Sequence, residues 1–438
     1  MFGSYCFKNK IVELFFTLHD FLSVIKNTAK NSLKQHNYYK MKNRFLIATI
    51  LVFALFQTSL AKKKEEIKKS YQFTIEKQLK ATPVKNQNRS GTCWSYATIS
   101  FLESEIIRLG KEEMDLSEMF IVNRNYHVRA KDYVRFHGMK SFSAGAEGWD
   151  ALNVVKNFGL IPQSAYTGNT FGETMPVHGE MDEVLKAYVD AIVKNKNKKI
   201  TPVWMKGFDG ILDAYLGEIP ETFTVEGKKY TPKSFRDDMG LNMDDYITIT
   251  SYSHHPFYES FIFEGPDNWS LGEVYNLPMD EMMQVVDNAI ENGYSLAWGS
   301  DVSEDGFAYR KGVAVVPETE EKCMDNSEIS KWEKMSKDQK AAYGTEYPVK
   351  EKEITQEMRQ TAFDNYESTE DHLMHMVGTA KDQNGNKYYL IKNSWGTDNN
   401  PYDGYFYASK AFVQYKTIGL LLNKNAIPAE IAKKLGLK

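Results

Sequence analysis

Gln87-Asn88-Arg89-Ser90-Gly91-Thr92-Cys93-Trp94-Ser95 is the stretch on which the reading of this chain turns. Upstream of it, 81–91 holds Pro83, Asn86, Asn88, Ser90 and Gly91, a density of turn formers that reads as an irregular loop. Downstream, Trp94, Ala97, Ile99, Phe101, Leu102 and Ile106 recur with few polar positions before Glu103 and Glu105. That spacing predicts a largely buried helix over 92–109, stopped by Gly110. Cys93 therefore stands where a loop becomes a helix. The positive end of a helix dipole lowers a thiol pKa, so the position favours a thiolate. Gln87, six residues upstream, can turn its side-chain amide toward the Cys93 backbone N–H, and two such donors suit an oxyanion. Cysteines on buried helices are ordinarily inert small hydrophobes, so Cys93 alone does not decide the matter.

The end of the chain supplies the partners. The runs 372–380 and 387–392 read as short strands joined through Asn384-Gly385, a hairpin dipeptide. His372 opens the first and Asn393 closes the second. Neighbouring strands lie about 5 Å apart, so an imidazole and an amide at facing ends can meet. Asn393 Oδ1 would then accept from one ring nitrogen and leave the other for Cys93, with Trp395 covering that bond from water. Thiol catalysis needs this set: a nucleophile, a base, a group orienting the base, and oxyanion donors.

Between these ends the pattern predicts helices over 116–125, 149–158, 181–193 and 279–292, and a buried strand over 295–302. A charged region follows from 317 to about 370, with a helical piece at 327–343, and a last strand at 404–408. Helices come first, strands last, and a mixed insertion separates them. The fold class is α+β.

The 438 residues are 42% hydrophobic, 26% charged and 13% aromatic, enough for a large packed core and against wholesale disorder. From Met41 the chain reads as a secretory signal: basic Lys42 and Arg44, an apolar stretch from Phe45 to Phe56, then Ser59-Leu60-Ala61. The apolar stretch falls short of the roughly 20 residues a spanning helix needs, so no stable membrane insertion is expected after cleavage. Residues 1–40 are expected to precede the true start, and the mature protein to be exported, periplasmic or secreted. Without residues 1–61, 46 Lys and Arg stand against 56 Asp and Glu, a formal charge of −10. Such a chain, basic only over 62–69, is not expected to bind nucleic acid. Cys93 and Cys323 alone make no disulfide framework.

Taken together, these segments resemble the papain superfamily. Gln87 to Ser95 is similar to its cysteine segment, Asp371-His372 to its histidine segment, and Asn393-Ser394-Trp395-Gly396 to its asparagine segment. Leu116-Ser117-Glu118 and Gly145-Ala146-Glu147-Gly148-Trp149 fall in order between them. The interval of 279 residues from Cys93 to His372, Trp298-Gly299-Ser300-Asp301-Val302 and Ile427-Pro428-Ala429-Glu430 resemble the bleomycin hydrolase and aminopeptidase C branch. The resemblance runs from about Gln78 to the end.

It implies a papain-like fold: a helical half over 71–166, an insertion over 167–365 with a helical subdomain and returning core strands, and a β half with tail over 366–438. Ahead of these come the extension 1–40, the signal peptide 41–61 and a charged linker 62–70. The resemblance implies a cysteine peptidase acting on peptides, aminopeptidase-like, without metal or organic cofactor, in a homo-oligomer (a homohexamer in that family). Cys93 is then the nucleophile, His372 the base and later the acid, Asn393 the orienter and Gln87 the oxyanion donor. Gly145, Ala146 and Trp395 form the substrate-binding set. Gly145 and Ala146 match paired glycines whose backbone pairs with extended substrate, and the Ala146 methyl is expected to narrow the cleft. Other classes remain open: an inactive papain-fold scaffold, or an acyltransferase using the same thioester chemistry.

Three further features read as bystanders. His375, three residues beyond His372, is expected on the other face of the strand as a packing residue. Adjacent His254 and His255 are expected to point apart and to lack a third metal ligand. Cys323 and the charged face over 318–352 are expected to be solvated and inert.

Overall fold

The computed structural model describes residues 70–437 apart from 171, 173, 198 and 319–336. The expected extension, the signal peptide, the linker up to residue 69 and Cys323 lie outside the described residues, as do the first ten residues of the expected helix 327–343.

The helices are α1 (Cys93–Arg108), α2 (Glu118–Arg135), α3 (Gly148–Phe158), α4 (Gly179–Val193), α5 (Trp204–Leu216), α6 (Pro232–Asp238), α7 (Met279–Glu291), α8 (Lys337–Glu346), α9 (Gln356–Asp364), α10 (Lys410–Lys416) and α11 (Ala429–Lys434). The strands are β1 (Thr74–Gln78), β2 (Phe223–Val225), β3 (Lys228–Tyr230), β4 (Tyr246–Thr250), β5 (Ser260–Ile262), β6 (Glu273–Asn276), β7 (Leu296–Ser300), β8 (Phe307–Ala308), β9 (Val313–Ala314), β10 (His372–Lys381), β11 (Lys387–Lys392), β12 (Tyr405–Ser409) and β13 (Thr417–Asn423).

The buried side chains of α1 run without a break from Trp94 to Ile106, because α2, α3 and β10 cover it on several sides. Ile99, Phe101, Leu102 and Ile106 are fully enclosed, each stabilising the fold by about 1.5–3 kcal/mol. The second helix runs ten residues past its expected end. Its continuation carries Arg129, whose buried guanidinium donates to the carbonyls of Ser141 at 3.2 Å, Ser143 at 3.0 Å and Gly145 at 2.5 Å. A buried but satisfied arginine interrupts the apolar stripe that the spacing follows, which hides the last turns.

One sheet organises the strands, in the order β5-β6-β4-β13-β7-β10-β11-β12-β9-β8, with β1 also paired to β10. The β10–β11 hairpin is the expected one. Gly385 takes φ +84°, and Asp382 Oδ1 accepts the N–H groups of Asn384 and Asn386 at 2.9 and 2.8 Å. At the bulge between Met376 and Gly378 the backbone of β1 comes so close that a Cβ on Gly378 would meet Lys77 O at 2.2 Å. Only glycine fits there.

The chain between Cys93 and His372 returns repeatedly to this sheet. Strand β4 pairs with β13, Ile249 opposite Leu420, and β7 sets Ser300 opposite His372. Met282, Val285 and Val286 of α7 pack into one apolar cluster with Trp298, Met374, Ile391 and Leu420. Helices α4 and α5 instead pack on α2. Among the described residues no helix is long and apolar enough to cross a membrane.

Arg359 of α9, 1% exposed, ties these parts together. It donates to the carbonyls of Ser251 at 2.7 Å, Gln414 at 3.1 Å and Thr417, beneath the ring of Tyr252. Arg359→Met keeps the volume but leaves those carbonyls without donors, and should cost about 3 kcal/mol. Urea unfolding measures this; an unchanged midpoint would show that the guanidinium adds nothing net.

Candidate active site

The geometry of β10 and β11 delivers His372 and Asn393 to one place. His372 Nε2 lies 2.7 Å from Asn393 Oδ1, which also accepts the Ser394 N–H at 2.8 Å. The amide oxygen can only accept, so Nε2 carries the proton and Nδ1 is the free base. Trp395 stacks on the imidazole with ring centroids 4.6 Å apart and covers the bond. Both residues are buried, and burial pushes the imidazole down to about 4 against the pull of Asn393. His372 is thus neutral at pH 7 and able to take a proton.

Cys93 is the first residue of α1 and half-buried. The backbone N–H groups of Leu373, the neighbour of His372, and of Trp94 face its thiol and favour the thiolate. The helix start was expected to favour a thiolate, and that expectation is not met. Burial pushes the thiol up to about 11, the two N–H groups oppose it, and the charges of Asp267 and Glu370 add to it. Loss of solvation outweighs the dipole in a cleft that also holds two carboxyl groups.

Gln87 is held by the asparagine segment. Its N–H donates to Ser394 O at 2.9 Å, and its Oε1 accepts the Ser394 hydroxyl at 2.6 Å. With its oxygen tied, Gln87 keeps its Nε2 as a donor. The loop that carries it closes on itself, Ser90 Oγ donating to Gln87 O at 2.7 Å. The role of Ser394 was missed in the sequence, although it stands inside the asparagine motif.

The segment with Gly145 and Ala146 is fastened to α1, because Trp94 Nε1 donates to Ala144 O at 3.0 Å. The Gly145 carbonyl already accepts from Arg129, and the Asp267 carboxylate rests on the Gly145 α-carbon. Ala146 is buried in the core of the helical half, so its methyl does not narrow a cleft; the backbone turns it inward. Asp267, 174 residues from Cys93 with no motif around it, left no signal in the sequence, and Glu370, just ahead of Asp371-His372, was passed over.

His375 is enclosed as expected, Nδ1 2.8 Å from Ser100 Oγ and edge-on to Phe101. The expectation for His254 and His255 is corrected. The chain turns there instead of forming a strand, so both Nε2 atoms face Glu264, at 2.6 and 3.4 Å. The three ligand atoms lie within 4.8 Å of one another, a spacing compatible with a metal ion. Gln360 also lies against His254 Nδ1, with its Nε2 at 3.0 Å and its Oε1 at 3.3 Å.

Comparison with known proteins agrees with this architecture. Residues 69–190 match the papain family cysteine protease domain, and residues 346–437 the Peptidase C1-like family. Aminopeptidase C of Streptococcus thermophilus is 22% identical, over 85% of this chain and 86% of that protein. Aminopeptidase C of Lactococcus lactis subsp. lactis is 20% identical, over 82% and 84%. The mitochondrial cysteine proteinase 1 of Saccharomyces cerevisiae is 21% identical, over 81% and 77%. Among solved structures, PepW from Lactobacillus rhamnosis shares the fold with a TM-score of 0.61 at 17% identity, over 93% of this chain and 96% of that one. The chain thus carries papain family cysteine peptidase domains and is similar over most of its length to aminopeptidase C proteins.

Ser394 and Gln87 should act as one unit. Ser394→Ala should lower kcat for peptide cleavage about tenfold with KM little changed. In a Gln87→Ala background the same change should have no further effect. Independent, multiplying losses would show that Ser394 does not act through Gln87.

Proposed function

We propose that the protein is an aminopeptidase-like cysteine peptidase that works through Cys93, His372 and Asn393 with Gln87. The carrying observation is the His372–Asn393 bond under Trp395, on a strand packed against the helix that Cys93 begins. In the first half-reaction the thiol proton passes to His372 Nδ1 and the sulfur attacks the scissile carbonyl carbon. Each shift described above belongs to a group beside an uncharged partner. Once the proton moves, two opposite charges stand side by side and each stabilises the other.

The oxyanion that forms is stabilised by the Cys93 N–H and Gln87 Nε2. The C–N bond then breaks, His372 returns the proton to the leaving amine, and a thioester remains. Water, deprotonated by the same imidazole, attacks the thioester and releases the acid and the free thiol. Asn393 fixes the ring so that Nδ1 faces the sulfur throughout. No step calls for a metal or organic cofactor. The aminopeptidase part is supported by the names of the relatives and the family-like segments of the chain. An exported address, from the signal-like stretch 41–61, and a homo-oligomer are proposed with it.

Cys93→Ala should abolish cleavage and His372→Ala nearly so, while Asn393→Ala should cost less because that residue orients without reacting. Gln87→Ala should lower kcat about 10²-fold. Because a protonated His372 cannot accept the thiol proton, kcat/KM should fall as pH drops through about 4, well below the 6.5 of a free imidazole. Cleavage of one peptide with free and blocked amino termini tests the exopeptidase reading. Equal cutting of both would refute it, and retained ligand binding without any turnover would favour the scaffold alternative.

A further inference from the structure

Two carboxyl groups from distant parts of the chain act on Cys93, and a third stands behind them. Asp267 and Glu370 are close enough for their charges to act on its thiol. Asp267 sits in the turn between β5 and β6. Its carboxylate lies so tightly on Gly145 that a Cβ there would meet Oδ2 at 1.8 Å, so only glycine allows it this position. Ser143 Oγ donates to Asp267 Oδ1 at 3.1 Å. Glu370, two residues before His372, faces the Asp267 N–H, which fixes the turn from the other side.

Behind them stands Glu147, only 6% exposed. Its Oε1 and the Oε2 of Glu370 have no hydrogen-bond donor among the described residues, although the two carboxyl groups face each other. Burial raises both, Glu147 most, and the charge of Glu370 raises Glu147 further. Among the described residues no Lys or Arg forms an ion pair with any of the three. The nearest guanidinium, Arg129, is engaged by the carbonyls of Ser141, Ser143 and Gly145. The corner therefore has more acceptors than donors, with Ser143 Oγ on Asp267 and the more distant charge of Arg129 as its counterweights.

A peptide's α-amino nitrogen is about 2.5 Å from the carbonyl carbon of the same residue. With that carbon at the Cys93 sulfur, the first residue's ammonium comes under the same Asp267 and Glu370 charges that act on the thiol. We infer that Asp267, backed by Glu370 and Glu147, receives the free amino terminus of the substrate and makes it a condition of cleavage. The inference rests on the peptidase reading above. It deepens that reading by naming Asp267 as a specificity-determining residue. A carboxylate that must lie on Gly145 also occupies backbone along which a longer acyl chain would run.

The test compares one peptide in its free and N-acetylated forms, with wild type and Asp267→Asn. The readout is the ratio of kcat/KM for the free form over the acetylated form, because a folding defect lowers both together. Asp267→Asn should reduce that ratio at least tenfold, mainly through KM for the free form. Alkylation of Cys93 by iodoacetamide at pH 7 should be no slower in the variant, since a repelling charge has gone. A wild type that prefers the free form, with an unchanged ratio in Asp267→Asn, overturns this inference and leaves the aminopeptidase reading standing. A wild type that cuts neither form overturns both. In a third arm the acetylated peptide carries Lys or norleucine next to its scissile residue. If Asp267→Asn affects only the Lys form, Asp267 reads a side chain and the amino-terminus assignment fails.

Discussion

The packing of α1 on β10 is the contact from which the chemistry follows. It sets the first residue of a buried helix against the first residues of a strand, so that the Leu373 N–H faces the Cys93 thiol. The same strand pairs with β7, β11 and β1, which leaves it little freedom to slide. A shift of one residue would turn His372 away and bring Leu373 to the cleft, because side chains alternate along a strand. Register in the sheet is thus register in the active site.

That rigidity is built from far-apart pieces. Strands β4 and β7, from the long interval between cysteine and histidine, lie beside β13 and β10 in the middle of the sheet. Buried polar groups fasten the joins: Arg359 to four backbone carbonyls, Arg129 to the Gly145 segment, and Ser394 to Gln87. Each satisfies groups whose burial would otherwise be unfavourable, and each brings two chain segments into fixed relation.

Electrostatically the cleft is arranged to keep its reacting groups neutral at rest. Burial acts on thiol and imidazole in opposite directions, and the carboxyl groups of Asp267 and Glu370 push the thiol further the same way. A cationic group entering beside Asp267 and Glu370 would cancel that repulsion and make the thiolate easier to form. Recognition of an ammonium and activation of the sulfur would then be linked through the same charges.

The sequence by itself determined what depends on local pattern. Helix α1, the β10–β11 hairpin and the stop at Gly110 were legible because apolar spacing, Asn384-Gly385 and a glycine after a helix act within a few residues. Cys93, His372, Asn393 and Gln87 were legible as chemistry because they stand in compact motifs. Tertiary structure alone decided the extra length of α2, the convergence of His254 and His255 on Glu264, the inward turn of Ala146 and the presence of Asp267 at Gly145. It also reversed the expected direction of the Cys93 thiol pKa. The physical reason is common to all of these: burial, close approach and charge act through space, between residues whose separation along the chain carries no periodic signal.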